Sequence, residues 1–296
     1  MPSTIVVGVE DSFRAQDAVA LAGDLARSAG AEILAVSAFG FDDRPSEHYN
    51  LALREPLREA AERTLESLCE PLNDLTVRRL AVAETSPARA LLRAAADSDA
   101  ALIVVGSSHG EFTGRVTPGS TGKHLLQGAP CAVALAPQGH RMRPHLDWKR
   151  VTVGVDGSAG SEVALAAAAA VAQTTARSLR VVRVFEASPR FLRVMPDARD
   201  AEEEQLHRAI AGVPEAEAAF VDGDPAVELA RESEVADLVV IGSRAAGSAG
   251  CVALGDVGEQ LLHSAACPAL FVPDGDAAPL WRLFAGCGKV PIDSAG

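Results

Sequence analysis

The chain has 296 residues, 48% of them hydrophobic, enough for about two domains of ordinary size with a core each. Its 27 Lys and Arg against 40 Asp and Glu give a net charge of −13, so no long-range field draws it to DNA, RNA or an anionic bilayer. The longest apolar run, Val163 to Ala172, falls far short of the roughly 20 residues a membrane span needs, and the opening run shows no basic secretory leader, so a cytoplasmic location without membrane or nucleic-acid partners is expected.

In chain order the first half predicts strand 4–10, helix 14–29, strand 32–38, helix about 47–70, strand 75–82, helix 87–97, strand 101–106, helix 120–128 and strand 132–136. The second half repeats it. The run from Ile5 matches the run from Val151 at an offset of 146, and "ALIVVGS" matches "DLVVIGS" at an offset of 136, pairing Gly106 with Gly242 and Gly119 with Gly255. The expected organisation is domain 1 over 1–137, a polar, basic, proline-bearing linker over 138–150, domain 2 over 151–273 and a tail over 274–296. Trp281, Leu283 and Phe284 in that tail are candidates to dock on the body.

Short Val/Ile/Ala runs alternating with helical patterns predict an α/β fold. Each repeat should be an open five-stranded parallel sheet covered by helices on both faces. Ligands in such sheets bind beyond the carboxyl ends of the strands, where the winding reverses. The first strand ends there in "VGVED", with Gly8 and Glu10, and the fourth leads into "VVGSSHGEFTGRVTPGST". The five cysteines contain no C-x-x-C and read as reduced, mostly buried thiols, and no two histidines have metal-ligand spacing with a cysteine or acid.

Three readings of the loop after the fourth strand stay open. Gly119, Ser120 and Thr121 start a helix whose unpaired amides suit phosphate, and Gly106 would admit it to the strand end; the same residues also make an ordinary helix cap. This is not a Walker A loop, because Thr117 stands where its first glycine belongs and His124 where its hydroxyl belongs. Gly106 to Gly110 also satisfies G-x-S-x-G, which would make Ser108 the nucleophile of a serine hydrolase, with His207 or His263 as distant partners; the second repeat lacks the pattern. In the third reading the loop only turns, and the protein is a scaffold that acts through protein contacts.

The "VGVxxS" start, strand–Gly–Ser after strand four, glycine-serine at a fixed distance and the closing "PCAVALAP" resemble the universal stress protein family in its tandem bacterial form, from about Ile5 to Pro273. The resemblance implies strand order 3-2-1-4-5, a role in the stress response and, in some members, ATP binding through G-x2-G-x9-G-[ST]. In repeat one Gly106, Gly119 and Ser120 keep that spacing, while the middle glycine falls on His109, a candidate phosphate contact or an incidental loop residue. The family's aspartate appears as Glu10, whose extra methylene moves the carboxylate by about 1.5 Å. Repeat two keeps Asp156 but has Ala245 at the middle position and Asp256 after Gly255, which repels phosphate unless Mg²⁺ lies between. Arg244 and Arg177 are its candidate compensating cations.

Adenine in that family packs on strand ends two and four, here Ala38 and Val105 in repeat one and Val184 and Ile241 in repeat two; the plainer reading of all four is core. The expectation is an ATP-binding regulatory protein, with or without Mg²⁺, holding nucleotide mainly in domain 1, with any hydrolysis slow because no base or arginine finger is evident. The resemblance further implies that the repeats pair as a pseudo-twofold dimer through their last strands; whether two chains associate stays open.

Overall fold

The computed structural model describes residues 3–40, 53–108, 115–143, 148–243, 251–273, 280, 283 and 284. Repeat one runs β1 (Thr4–Gly8), α1 (Phe13–Ala29), β2 (Glu32–Phe39), α2 (Arg54–Leu68), β3 (Val77–Ala83), α3 (Pro87–Asp97), β4 (Leu102–Gly106), α4 (Ser120–Leu125) and β5 (Ala132–Ala136). Repeat two runs β6 (Arg150–Gly154), α5 (Ala159–Thr175), β7 (Ser178–Phe185), α6 (Pro189–Val194), α7 (Ala198–Ile210), β8 (Ala216–Asp222), α8 (Pro225–Ser233), β9 (Leu238–Gly242), α9 (Asp256–Leu261) and β10 (Ala269–Val272).

Local chemistry sets these boundaries. Ser12 caps α1 by accepting the Ala15 amide, Ser158 does the same for α5 with Ser161, and Pro87 and Pro225 open α3 and α8 behind Ser86 and Asp224. Gly30 ends α1 at φ 63°; its counterpart Ala176 ends α5 at φ 52°, a left-handed conformation that costs a non-glycine residue about 1 kcal/mol. The first strand stops at Gly8 rather than residue 10, because Ser12 and Glu10 turn the chain into the helix cap. Helix α4 ends at Leu125, where Gln127 and Gly128 tighten the turn by bonding three residues back. The expected start of the second helix near residue 47 lies outside the described residues.

Each repeat has the order 3-2-1-4-5 with every neighbour parallel. The two sheets meet edge to edge, β5 antiparallel to β10 with Phe271 opposite Val133, giving one ten-stranded sheet. Pairing of these two short apolar strands removes the exposed edge that each repeat would otherwise present.

Apolar cores lie on both sides of this sheet and run across the junction. One contains Val7, Leu21, Leu25 and Leu65 together with the buried alanines of α5, which explains the run Val163 to Ala172: it is a core helix. No helix among the described residues is long and apolar enough to cross a membrane. Leu280, Leu283 and Phe284 of the tail join that core, each 2% exposed, whereas Trp281 lies outside the described residues. The other core contains Ile103, Leu125, Val239 and Phe271. Cys69, Cys131 and Cys267 are buried, and burial pushes the Cys131 and Cys267 thiols up to about 12, so both stay protonated and inert. Cys251 is half-buried.

The stretch expected to be a linker is docked over its first part. Asp17 of α1, 1% exposed, accepts the amides of Gly139 (2.8 Å) and Arg141 (3.0 Å) and the Arg141 guanidinium (3.0 Å). His140 packs beside it at 3.4 Å from the Asp24 carboxylate. A carboxylate this deeply buried is stable only because these donors satisfy it. Arg150, at the far end of the stretch, already belongs to β6.

Candidate functional site

Strands β1 and β4 are neighbours, and the chain leaves them towards opposite ends of the sheet, so a crevice opens between their carboxyl ends. In repeat one that crevice is a cavity of about 260 Å³. One end is apolar, formed by Val36 and Ala38 of β2, Ala90 and Leu91 of α3, and Val105 of β4. The other end is polar, formed by Glu10, Arg14, Ser108, Ser120 and Thr121 with the glycines 106, 119 and 122.

At the polar end the first turn of α4 is open. Gly119 caps the helix in extended conformation (φ −73°, ψ 179°) with no side-chain cap, and the first bond of this turn is Lys123 N–H to Gly119 O at 2.9 Å. Among the described residues no backbone acceptor pairs with the Ser120, Thr121 and Gly122 amides, so this helix end presents donors and positive dipole to the cleft. A Cβ on Gly119 would meet only the Ser108 Cβ, at 3.5 Å. The scaffold therefore does not demand glycine here; a side chain would project into open cleft.

Gly106 differs. A Cβ there would lie 2.1 Å from the Arg14 carbonyl oxygen, so the packing of α1 onto the end of β4 requires this glycine whether or not phosphate approaches. Gly242 repeats the constraint in repeat two, 2.2 Å from the Gly160 carbonyl oxygen. Gly8 lines the cleft beside Leu91 and Val105, near the apolar end.

Arg14 is the charged cleft residue that sequence reading missed, alongside the apolar Val36, Ala90 and Leu91. It lies four residues after Glu10, reaches that carboxylate at 2.7 Å, and its buried Nε has no hydrogen-bond partner among the described residues. The i, i+4 spacing of Glu10 and Arg14 was the available signal. Glu10 also accepts the Ser12 hydroxyl at 3.1 Å, so its longer arm serves to hold Arg14 at the rim. Ser108 donates both its amide (2.6 Å) and its hydroxyl (3.2 Å) to the Thr117 carbonyl oxygen. That hydroxyl faces no general base among these contacts. His263 lines a different cavity and His207 sits on α7 in repeat two. The helix that a nucleophile elbow needs would fall on residues 109–114, outside the described residues, as does His109.

The matching cleft in repeat two is lined by Asp156, Val184, Ile241, Gly242 and Gly255, with a volume of about 120 Å³. Two larger side chains narrow it, Val184 for Ala38 and Ile241 for Val105, and the isosteric Val257 replaces the Thr121 hydroxyl with a methyl. Asp156 turns back on its own loop, accepting the Ser158 amide at 3.0 Å and the Ser158 hydroxyl. Gly160 stands where repeat one has Arg14, so no cation occupies that position, and α9 opens on Asp256. Arg177 precedes β7, at the end of the sheet opposite the cleft, and so cannot compensate as expected; Arg244 lies outside the described residues. All of the other candidate positions line one cleft or the other.

A larger cavity, about 670 Å³, lies on the seam between repeats among Lys123, Gln127, Cys251, Glu259 and His263. Lys123 and Glu259 oppose each other in sign, so it offers no net attraction to an anion. Among the described residues, no group of three or more His, Cys, Asp or Glu is placed to hold a metal ion.

The sequence profile of the universal stress protein family matches residues 1–137 and 147–273. The chain belongs to the universal stress protein family. Among its relatives, a universal stress protein of Mycobacterium tuberculosis is 33% identical over 184 residues, 58% of this chain and 61% of that protein. The alignment thus spans about three-fifths of these mycobacterial relatives. A universal stress protein of Thermus aquaticus is 32% identical over 136 residues, 42% of this chain and 98% of its own length. Solved structures agree on the fold. A universal stress protein from Archaeoglobus fulgidus superposes with a TM-score of 0.68 at 17% identity, covering 92% of this chain and 98% of that one. A universal stress protein from Pseudomonas aeruginosa gives 0.67 at 18% identity, covering 96% and 98%.

Proposed function

We propose that this universal stress protein is a stress-response regulator that binds one adenine nucleotide, ATP, in the cleft of repeat one. The observation that carries the reading is the uncapped start of α4, whose Ser120, Thr121 and Gly122 amides face the polar end of a cleft with an apolar far end. The residues fit the ligand. Ala38, Leu91 and Val105 offer an apolar slot for a base, and the three amides and the unsatisfied Arg14 Nε offer donors for phosphate oxygens. Glu10, bridged to Arg14, is the carboxylate available to a ribose or a phosphate-bound Mg²⁺. ATP bound there supplies charge and a switchable γ-phosphate; the chain's residues hold and orient it. Regulation by occupancy, rather than turnover, is the expected output.

Repeat two supports the assignment by contrast, since its smaller cleft, its missing arginine and its Asp256 all disfavour a triphosphate. Calorimetric titration with ATP and Mg²⁺ is expected to give close to one site per chain. Two equal sites would contradict the asymmetry. One observation favours the scaffold reading: about 260 Å³ lies just under the roughly 300 Å³ at which small-molecule sites begin. No heat with any adenine nucleotide would decide for it.

A further inference from the structure

The loops that follow β4 and β9 each reach into the other repeat. Val116 N–H donates to Ala265 O at 2.8 Å, and its counterpart Val252 N–H donates to Ala129 O at 2.9 Å. These two bonds obey the repeat symmetry. Arg115 breaks it: its guanidinium donates to Ser264 O and to Glu234 Oε1 (3.1 Å), both in repeat two, while its counterpart Cys251 has no such donors.

We propose that Arg115 is a positioning residue that couples the nucleotide cleft of repeat one to the α8 and α9 ends of repeat two. The inference rests on the nucleotide reading given above. The chain from Arg115 to the cleft is short and held at each step. Val116 is fully buried, Thr117 O accepts both donors of Ser108, and Gly119, two residues on, caps α4 where an added Cβ would reach the Ser108 Cβ at 3.5 Å. Displacing Arg115 therefore moves the amides that face phosphate. By linkage, a nucleotide that fixes those amides also fixes Glu234 and Ser264. Among the described residues, the repeat-two loop makes only the backbone bond of Val252 to the other repeat, without a counterpart of the Arg115 fork. The Arg115–Glu234 pair is half-exposed, and pairs of that kind add little to global stability, which makes variants at Arg115 suitable probes.

The test is ATP titration of the full chain carrying Arg115→Cys, the residue of repeat two, and Arg115→Lys, which keeps the charge but not the two-armed fork. Affinity is expected to fall about five- to tenfold for cysteine and by less for lysine, with the melting temperature of the nucleotide-free chain changed by under about 2 °C. Hydrogen exchange supplies a second reading. ATP should protect amides 233–236 and 264–266 in the parent chain and not in Arg115→Cys. Unchanged affinity in both variants, or the same protection with and without Arg115, overturns the coupling while leaving nucleotide binding intact. A parent chain that binds no ATP overturns the nucleotide reading and this inference with it.

Discussion

Gly106→Ala is expected to lower the stability of the protein by about 3 kcal/mol, even though alanine is the smallest possible addition. The added Cβ would sit 2.1 Å from the Arg14 carbonyl oxygen and 2.7 Å from its carbonyl carbon, both backbone atoms of α1, which has no side-chain rotamer to yield. Relief requires α1 to lift off the end of β4, opening a core in which Val7, Ala18, Leu21 and Ala22 are almost completely buried. The melting temperature should fall by roughly 5–10 °C, read by calorimetry on the nucleotide-free chain. A drop of less than 1 °C would mean that α1 does not pack as described. Arg14 belongs to the same turn, so the variant should also bind nucleotide weakly.

Gly119→Val is expected to separate binding from folding. Its Cβ meets only Ser108 at 3.5 Å, and the extended backbone of the cap (φ −73°, ψ 179°) suits valine. The cost to stability should stay within about 1 kcal/mol, from loss of a good helix cap. The branched side chain would occupy the space above the Ser120 and Thr121 amides, and ATP affinity should fall at least about 30-fold, roughly 2 kcal/mol. Loss of binding with an unchanged melting temperature supports the cleft; undiminished affinity places the nucleotide elsewhere. The two glycines, thirteen residues apart in one loop, thus serve different ends.

That distinction marks where sequence reading stops. The repeat, the parallel sheet and the position of the cleft were legible, because apolar runs and helix caps are local signals that both repeats write in the same order. The strand-end residues Ala38 and Val105 and the helix start at Ser120 fell into one cleft for the same reason. The purpose of Gly106 was not legible, since it depends on a carbonyl of α1 brought alongside by tertiary packing. Arg177 reads as a cation in a strand–helix unit, yet only the fold shows that it sits at the wrong end of β7. The docking of residues 138–143 was hidden too, because a polar, basic stretch looks like a free tether until Asp17 is seen to be buried and in need of donors. Arg14 carried a local signal in its spacing from Glu10, but its unsatisfied Nε is a property of the folded rim.

The asymmetry between repeats follows from a handful of substitutions. Two larger side chains narrow the second cleft, Gly160 removes the arginine, and Asp256 places a negative charge where the first repeat has Ser120. None of these alters the sheet. On the proposed reading, one repeat holds the anion and the other braces it.

The most direct measurement is amide NMR of the full chain as ATP and Mg²⁺ are added. The account predicts that the Ser120, Thr121 and Gly122 resonances shift first and furthest, with Arg14 Nε following and residues 256–258 of repeat two unmoved. Shifts confined to residues 256–258, or saturation with ATP that leaves all three amides of repeat one in place, would contradict it.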